Sequence, residues 1–207
     1  MAGYFPHDIN ILVALGVLSG VLSVLGFIPY ILDTLHRRTQ PERASWLIWS
    51  VLGSIAFFSQ VYEEATHSLW FAGVQVGGTI VIFLLSIPLG ARRYMSGRNK
   101  IIFLMAFAGL VAWYYTDTAV YALAITIGIS LLGGTVTVRK AYCEPETETL
   151  SMWVMALLAS VCAVLSVGEF DWVILAYPLY LLTLYMAIVI AILMGQVRRA
   201  AMMSDEL

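Results

Sequence analysis

Charge is what this chain has least of. Of its 207 residues, 12% are Asp, Glu, Lys or Arg and 61% are hydrophobic, and mean hydropathy is +0.88. Soluble domains run at roughly 25% charged and 45–50% apolar. A fold of this length cannot hide so much apolar surface from water, so a lipid bilayer is expected as solvent and partner. No basic tract is present, which removes nucleic acid from the partners. Cysteine is scarce as well. Cys143 and Cys162 fall on opposite sides of an expected membrane boundary, so neither a disulfide nor a metal framework follows. His7, His36 and His67 sit in tails or loops without metal-ligand spacing. The opening M-A-G-Y-F-P-H-D-I-N lacks the basic region of a secretory signal, so the first apolar run reads as a retained helix.

The apolar runs are themselves short of ionisable groups. A spanning helix needs about 20 mainly apolar residues, which predicts seven, at 10–33, 45–62, 69–91, 100–115, 118–138, 150–167 and 171–194. No Asp, Glu, Lys, Arg or His falls deep within any of them. Such groups mark proton relays and ion paths, so their absence argues against a proton-coupled pump. It excludes a retinal protein, which needs a membrane lysine, and it leaves intramembrane metalloprotease or lipid-hydrolase chemistry without its parts. The reading is of a protein that is not an enzyme and has no cofactor or metal.

What is present is an ordered placement of charge. Arg37, Arg38 and Arg43 lie in the first connection, and Arg92, Arg93, Arg98 and Lys100 in the third. Arg139 and Lys140 follow the fifth run, and Arg198 and Arg199 follow the seventh. With seven spans, all eleven basic residues share one side. Asp8, Glu63, Glu64, Asp117, Glu169 and Asp171 occupy the other. The positive-inside rule then sets the N-terminus outside and the C-terminus in the cytoplasm of a multi-pass cell-membrane protein.

The chain also resembles itself. A shift of 104 places Pro41 on Pro145, Glu42 on Glu146, Ser45 on Thr149 and Trp49 on Trp153, and a two-residue slip brings Arg92-Arg93 onto Arg198-Arg199. Three helices, one helix, then three helices make a parallel repeat about the membrane normal. The expected organisation is a first three-helix bundle over 1–98, a linker helix over 99–116, a second bundle over 117–199 and a cytoplasmic tail over 200–207. The fold class is all-α, seven transmembrane helices in a 3+1+3 parallel repeat.

Pro29, the basic loop after it and the following S-W-L-I-W resemble the motif of the PQ-loop repeat superfamily, which includes the SWEET facilitators. Tyr30 stands where that family has Gln, and Gly133-Gly134 occupy the second Pro-Gln position. The resemblance implies a facilitator that moves a small neutral solute, such as a sugar or another polar metabolite, by alternating access. It makes Pro29 a hinge, since an internal proline removes a backbone hydrogen bond and kinks a helix. Gly133 and Gly134 give a comparable soft point. It also implies a ligand between the third and seventh helices.

Neutral polar residues mark that region. Gln75, Thr79 and Ser86 share one stripe of the third helix; Tyr177, Tyr180 and Leu184 share one of the seventh, with Thr183 beside it; and Gln60 lies at nearly the angular position of Trp49. Gln60, Gln75, Thr79, Tyr177 and Tyr180 are the candidate ligand-binding residues, since amides and phenols suit an uncharged polar or aromatic ligand. The same side chains can instead bridge helices. Trp46, Trp49 and Trp153 read first as anchors in the aromatic belt, with Trp49 and Trp153 as gate residues in second place. Gly16-x-x-x-Gly20 and Gly73-x-x-x-Gly77 offer close helix approach and a possible homo-oligomer contact. A non-transporting receptor or a structural subunit on the same scaffold is the alternative function.

Overall fold

The computed structural model describes residues 6–62, 69–91, 119–167 and 172–204, with isolated positions between 104 and 115. The described chain is all-helical. α1 runs Pro6–Leu35, α2 Arg43–Tyr62, α3 Leu69–Leu89, α4 Ala119–Cys143, α5 Leu150–Ser166 and α6 Trp172–Ser204, with a 3-10 turn at Pro145–Thr147 before α5. The expected fourth span, 100–115, lies outside the described residues apart from those isolated positions. Arg92, Arg93, Arg98, Lys100, Glu63, Glu64, Asp117, Glu169, Asp171, His67 and Trp113 also lie outside them.

Local chemistry sets the helix limits. α1 opens on Pro6, whose fixed φ suits a first helical position and whose missing N–H would find no partner there. It closes in a Schellman turn: Arg38 N–H donates to the Asp33 carbonyl at 2.8 Å and Arg37 N–H to that of Thr34 at 3.0 Å. Arg37 takes the left-handed position, φ 60°, that glycine normally fills. α4 ends two residues before Pro145, and Glu144 N–H still reaches the Lys140 carbonyl at 2.7 Å. Pro29, Pro88 and Pro178 lie inside α1, α3 and α6, each leaving one carbonyl a turn earlier without its usual donor.

The helices form a closed ring. α3 packs between α1 and α2, α6 packs between α4 and α5, and the halves meet along two seams, α1 with α5 and α2 with α4. Among the described elements the backbones of neither α1 and α2 nor α4 and α5 run side by side. The third helix of each half is therefore the middle one, and each seam joins a first helix of one half to a second helix of the other.

Burial runs inward to aromatic and polar residues and outward to aliphatic ones. Tyr30, Trp46, Trp153, Ile82 and Ile188 are shut from solvent. Val17, Val21, Leu25, Ile28 and Leu32 line an exposed face of α1, and Ile190, Leu193, Met194 and Val197 line one of α6. Over Ile11–Leu35 and Leu175–Ser204 these two helices are long and apolar enough to cross a membrane; Gly73–Leu89 and Leu150–Ser166 are shorter apolar helices.

One glycine of each GxxxG pair meets a neighbouring helix, a Cβ on Gly73 lying 3.4 Å from Phe57 Cε2 and one on Gly16 4.0 Å from Ser166 Cβ, but the tightest approaches lie elsewhere. A Cβ on Gly20 or Gly77 would meet nothing, whereas one on Gly134 would lie 2.6 Å from Leu184 Cδ1. Gly90 and Gly195 show a shared device: a Cβ on Gly90 would lie 2.6 Å from the Pro41 carbonyl oxygen, and one on Gly195 2.5 Å from that of Tyr142 and 3.2 Å from Pro145 Cγ. Gly90, just past the end of α3, and Gly195, within α6, each pack a middle helix against the proline-bearing connection of its own half.

Candidate functional site

Five helices contribute to a cavity of about 40 Å³, room for a few waters at roughly 10–15 Å³ each. Phe27 comes from α1, Trp46, Trp49 and Gly53 from α2, Gln75 and Thr79 from α3, Met152 and Trp153 from α5. α6 gives Tyr177, Leu181, Leu184 and Tyr185. The polar group reaching across the ring is Gln75, whose amide Nε2 donates to the Tyr185 hydroxyl at 3.1 Å. Thr79 turns its hydroxyl back on the Val76 carbonyl at 3.0 Å, so it presents little unspent polarity.

Of the sequence candidates, Gln75, Thr79, Tyr177, Trp49 and Trp153 come together in this lining. Tyr180 does not. It is buried in the core at 6% exposure; its hydroxyl faces Ser130 and the Trp49 indole without reaching hydrogen-bond geometry to either. Gln60 lies on α2, but its side chain is outside the described residues. Ser86 departs from its stripe: its hydroxyl donates to the Phe83 carbonyl at 2.6 Å and its own carbonyl accepts from Arg43 Nε at 2.7 Å. The residue missed is Tyr185. It lies eight positions after Tyr177, so Tyr177, Leu181, Leu184 and Tyr185 share one face by the i, i+4, i+7, i+8 rule. Choosing i+3 in place of i+4 led to Tyr180.

The tryptophans correct the sequence reading. Trp46 and Trp153 are 1% and 0% exposed, so neither is a belt anchor; both line the cavity. They form a stack with Tyr30, Trp49 and Tyr185, with ring centroids 5.2 Å apart for Trp46–Trp49 and 6.0 Å for Trp153–Tyr185. The indole N–H groups of Trp46 and Trp49 have no acceptor within hydrogen-bond geometry. Tyr30 lies against Trp46 and the Tyr180 hydroxyl faces Trp49, so a small shift would give each indole an oxygen acceptor.

Charge inside the ring is the second correction. Lys140, assigned to the basic surface, has a fully buried side chain in an ion pair with buried Glu148. Lys140 Nζ also donates to the Thr147 carbonyl at 3.1 Å. The other carboxylate oxygen of Glu148 accepts from Trp153 Nε1 at 2.9 Å and from the Tyr30 hydroxyl at 3.3 Å. Sequence spacing hid the pair because both residues lie just beyond predicted span ends. Gly133 and Gly134 sit at the α4 contacts: the Gly133 carbonyl accepts from Ser45 Oγ at 2.7 Å, and Gly134 touches α6 through Leu184. Among the described residues no three His, Cys, Asp or Glu side chains gather as a metal site requires. Comparison with known proteins found no matching family model, no matching curated protein and no matching solved structure.

Proposed function

We propose that the chain is a multi-pass membrane carrier of PQ-loop type, moving a small neutral polar solute by alternating access between two three-helix halves. The observation that carries this reading is the ring with its central cavity. The α3 amide of Gln75 and the α6 phenol of Tyr185 meet across that cavity, one from the middle helix of each half. The same neighbour order in the two halves supports a duplicated 3+1+3 plan, with 100–115 as the joining span. The aliphatic outer faces of α1, α3, α5 and α6 support immersion in lipid.

The cavity's chemistry favours a neutral ligand with acceptor oxygens. Its lining has aromatic faces, the Gln75 amide and the Tyr177 and Tyr185 phenols, and no charged residue. At about 40 Å³ it is closed down to water size, so admitting a solute requires the halves to part. Pro29 in α1 and the Gly133-Gly134 pair in α4 are the proposed soft points, at matching places in the first helix of each half.

Purified protein in proteoliposomes is expected to pass one or more members of a panel of neutral polar solutes. Gln75→Ala should lower that flux about tenfold or more, the loss expected when a site's orienting hydrogen bonds go. Monodisperse, folded protein that passes none of the panel would overturn the carrier reading and leave a receptor or structural subunit on the same scaffold.

A further inference from the structure

The cytoplasmic end implied by the basic residues is bolted shut by polar bonds between the halves. Gln40 N–H donates to the Thr147 carbonyl at 3.0 Å. The Thr149 hydroxyl donates to Asp33 at 3.0 Å, and Ser45 Oγ to the Gly133 carbonyl at 2.7 Å. Glu148 stands out in this set because it is charged, buried and joined to both halves. It takes the Tyr30 hydroxyl from α1 and holds Lys140 and Trp153 in its own half. Trp153 is also a wall of the cavity. One carboxylate thus touches the cavity wall, the opposite half and a buried cation.

We infer that the Lys140–Glu148 pair is the latch of the basic-side gate, with Glu148 also a positioning residue that fixes the Trp153 indole in the cavity wall. The inference rests on the carrier reading, because a latch needs a second, open state. In the closed ring both ions have lost their water, and their mutual attraction roughly offsets that loss. Opening the α1–α5 and α2–α4 seams lets water back to both, so the two states stay close in free energy. Neutralising one partner leaves a lone buried ion whose hydration favours opening. Replacing both with apolar residues removes the hydration that rewards opening, and the ring should stay shut. A pair that merely stabilised the fold would weaken it when one partner was lost, but would not move gate opening in opposite directions.

That opposition is the test. Thr79→Cys, in a Cys143→Ala/Cys162→Ala chain, places one thiol in the cavity lining. A membrane-impermeant methanethiosulfonate reagent, larger than the closed cavity, is added to the face bearing Arg37 and Arg38. Glu148→Gln should speed labelling about tenfold or more, whereas Lys140→Met/Glu148→Leu should slow it about threefold or more below the parent. Labelling of folded Glu148→Gln at the parent rate, or of the double variant at or above it, would overturn the latch. If Glu148→Gln does not fold, the double variant decides alone by the same criterion. Labelling needs no transported solute, so a negative flux panel and a failed latch are separate results.

Discussion

The two loops at the basic end occupy matching places and hold themselves by different means. The first uses its carboxylate to cap its own helix, while Gln40 N–H and Ser45 Oγ beside it reach the other half. Glu42, 2% exposed, accepts from the Ser45 N–H at 2.8 Å, capping the start of its own helix, α2. In the second loop the residue before α5 is Thr149, which makes no side-chain cap bond and turns its hydroxyl to Asp33 and Thr39 of the first half. Its carboxylate, Glu148, lies one residue earlier and engages a buried lysine. One carboxylate supports a helix end; the other holds a buried lysine and reaches Tyr30 of the opposite half. Similar backbone placement can therefore carry a carboxylate used for local capping in one loop and for cross-half fastening in the other.

The largest effect should come from breaking the second loop. Losing one member of a buried ion pair costs about 3–5 kcal/mol, while replacing both with apolar residues is often neutral. Lys140→Met should therefore lower thermal stability in detergent strongly, and Lys140→Met/Glu148→Leu should recover most of the loss. Glu42→Ala, at the buried carboxylate of the first loop, removes a cap and should cost less, about 1–2 kcal/mol. Equal losses at Glu42 and Lys140 would erase the distinction between the loops.

Where the halves share a device they should respond alike. Gly90→Ala and Gly195→Ala each force a Cβ against a backbone carbonyl, which cannot swing aside as a side-chain end can. Each should cost about 1–3 kcal/mol, read as paired shifts in melting temperature. A large loss at one glycine alone would show that the proline loops are not packed equivalently. The smallest effect is a gain. Arg37→Gly removes a left-handed non-glycine residue from the α1 turn and should stabilise by about 0.5–1 kcal/mol, the relief of strain less the entropy glycine loses on folding.

Helix placement was legible because the apolar runs are long. Expected spans 10–33 and 150–167 meet helices Pro6–Leu35 and Leu150–Ser166, and Pro145 with its flanking charges marks a real turn. The inward faces were harder to read. Aliphatic residues cover the outside of these helices while aromatic ones fill the inside, so no polar–apolar contrast distinguishes a face at i+3 from one at i+4. Tyr180 and Tyr185 are both tyrosines on one apolar helix, and only packing shows which meets Gln75. The tryptophans were misplaced for a related reason, since a ring suited to a lipid headgroup is equally suited to a stack. Lys140 and Glu148 could not be matched by composition, because a charge near a helix end usually lies in water.

The nine residues from Lys140 to Glu148 also bear on how the chain comes to be made. Their charges find each other as soon as the turn at Pro145–Thr147 forms, before any distant helix has arrived. In a nascent α4–turn–α5 segment the Lys140–Glu148 pair can therefore settle as a neutral unit, with Tyr30 as an addition to a carboxylate already matched. The second half carries its own counterion from birth, and assembly with the first half adds a hydrogen bond to a charge that never had to wait alone.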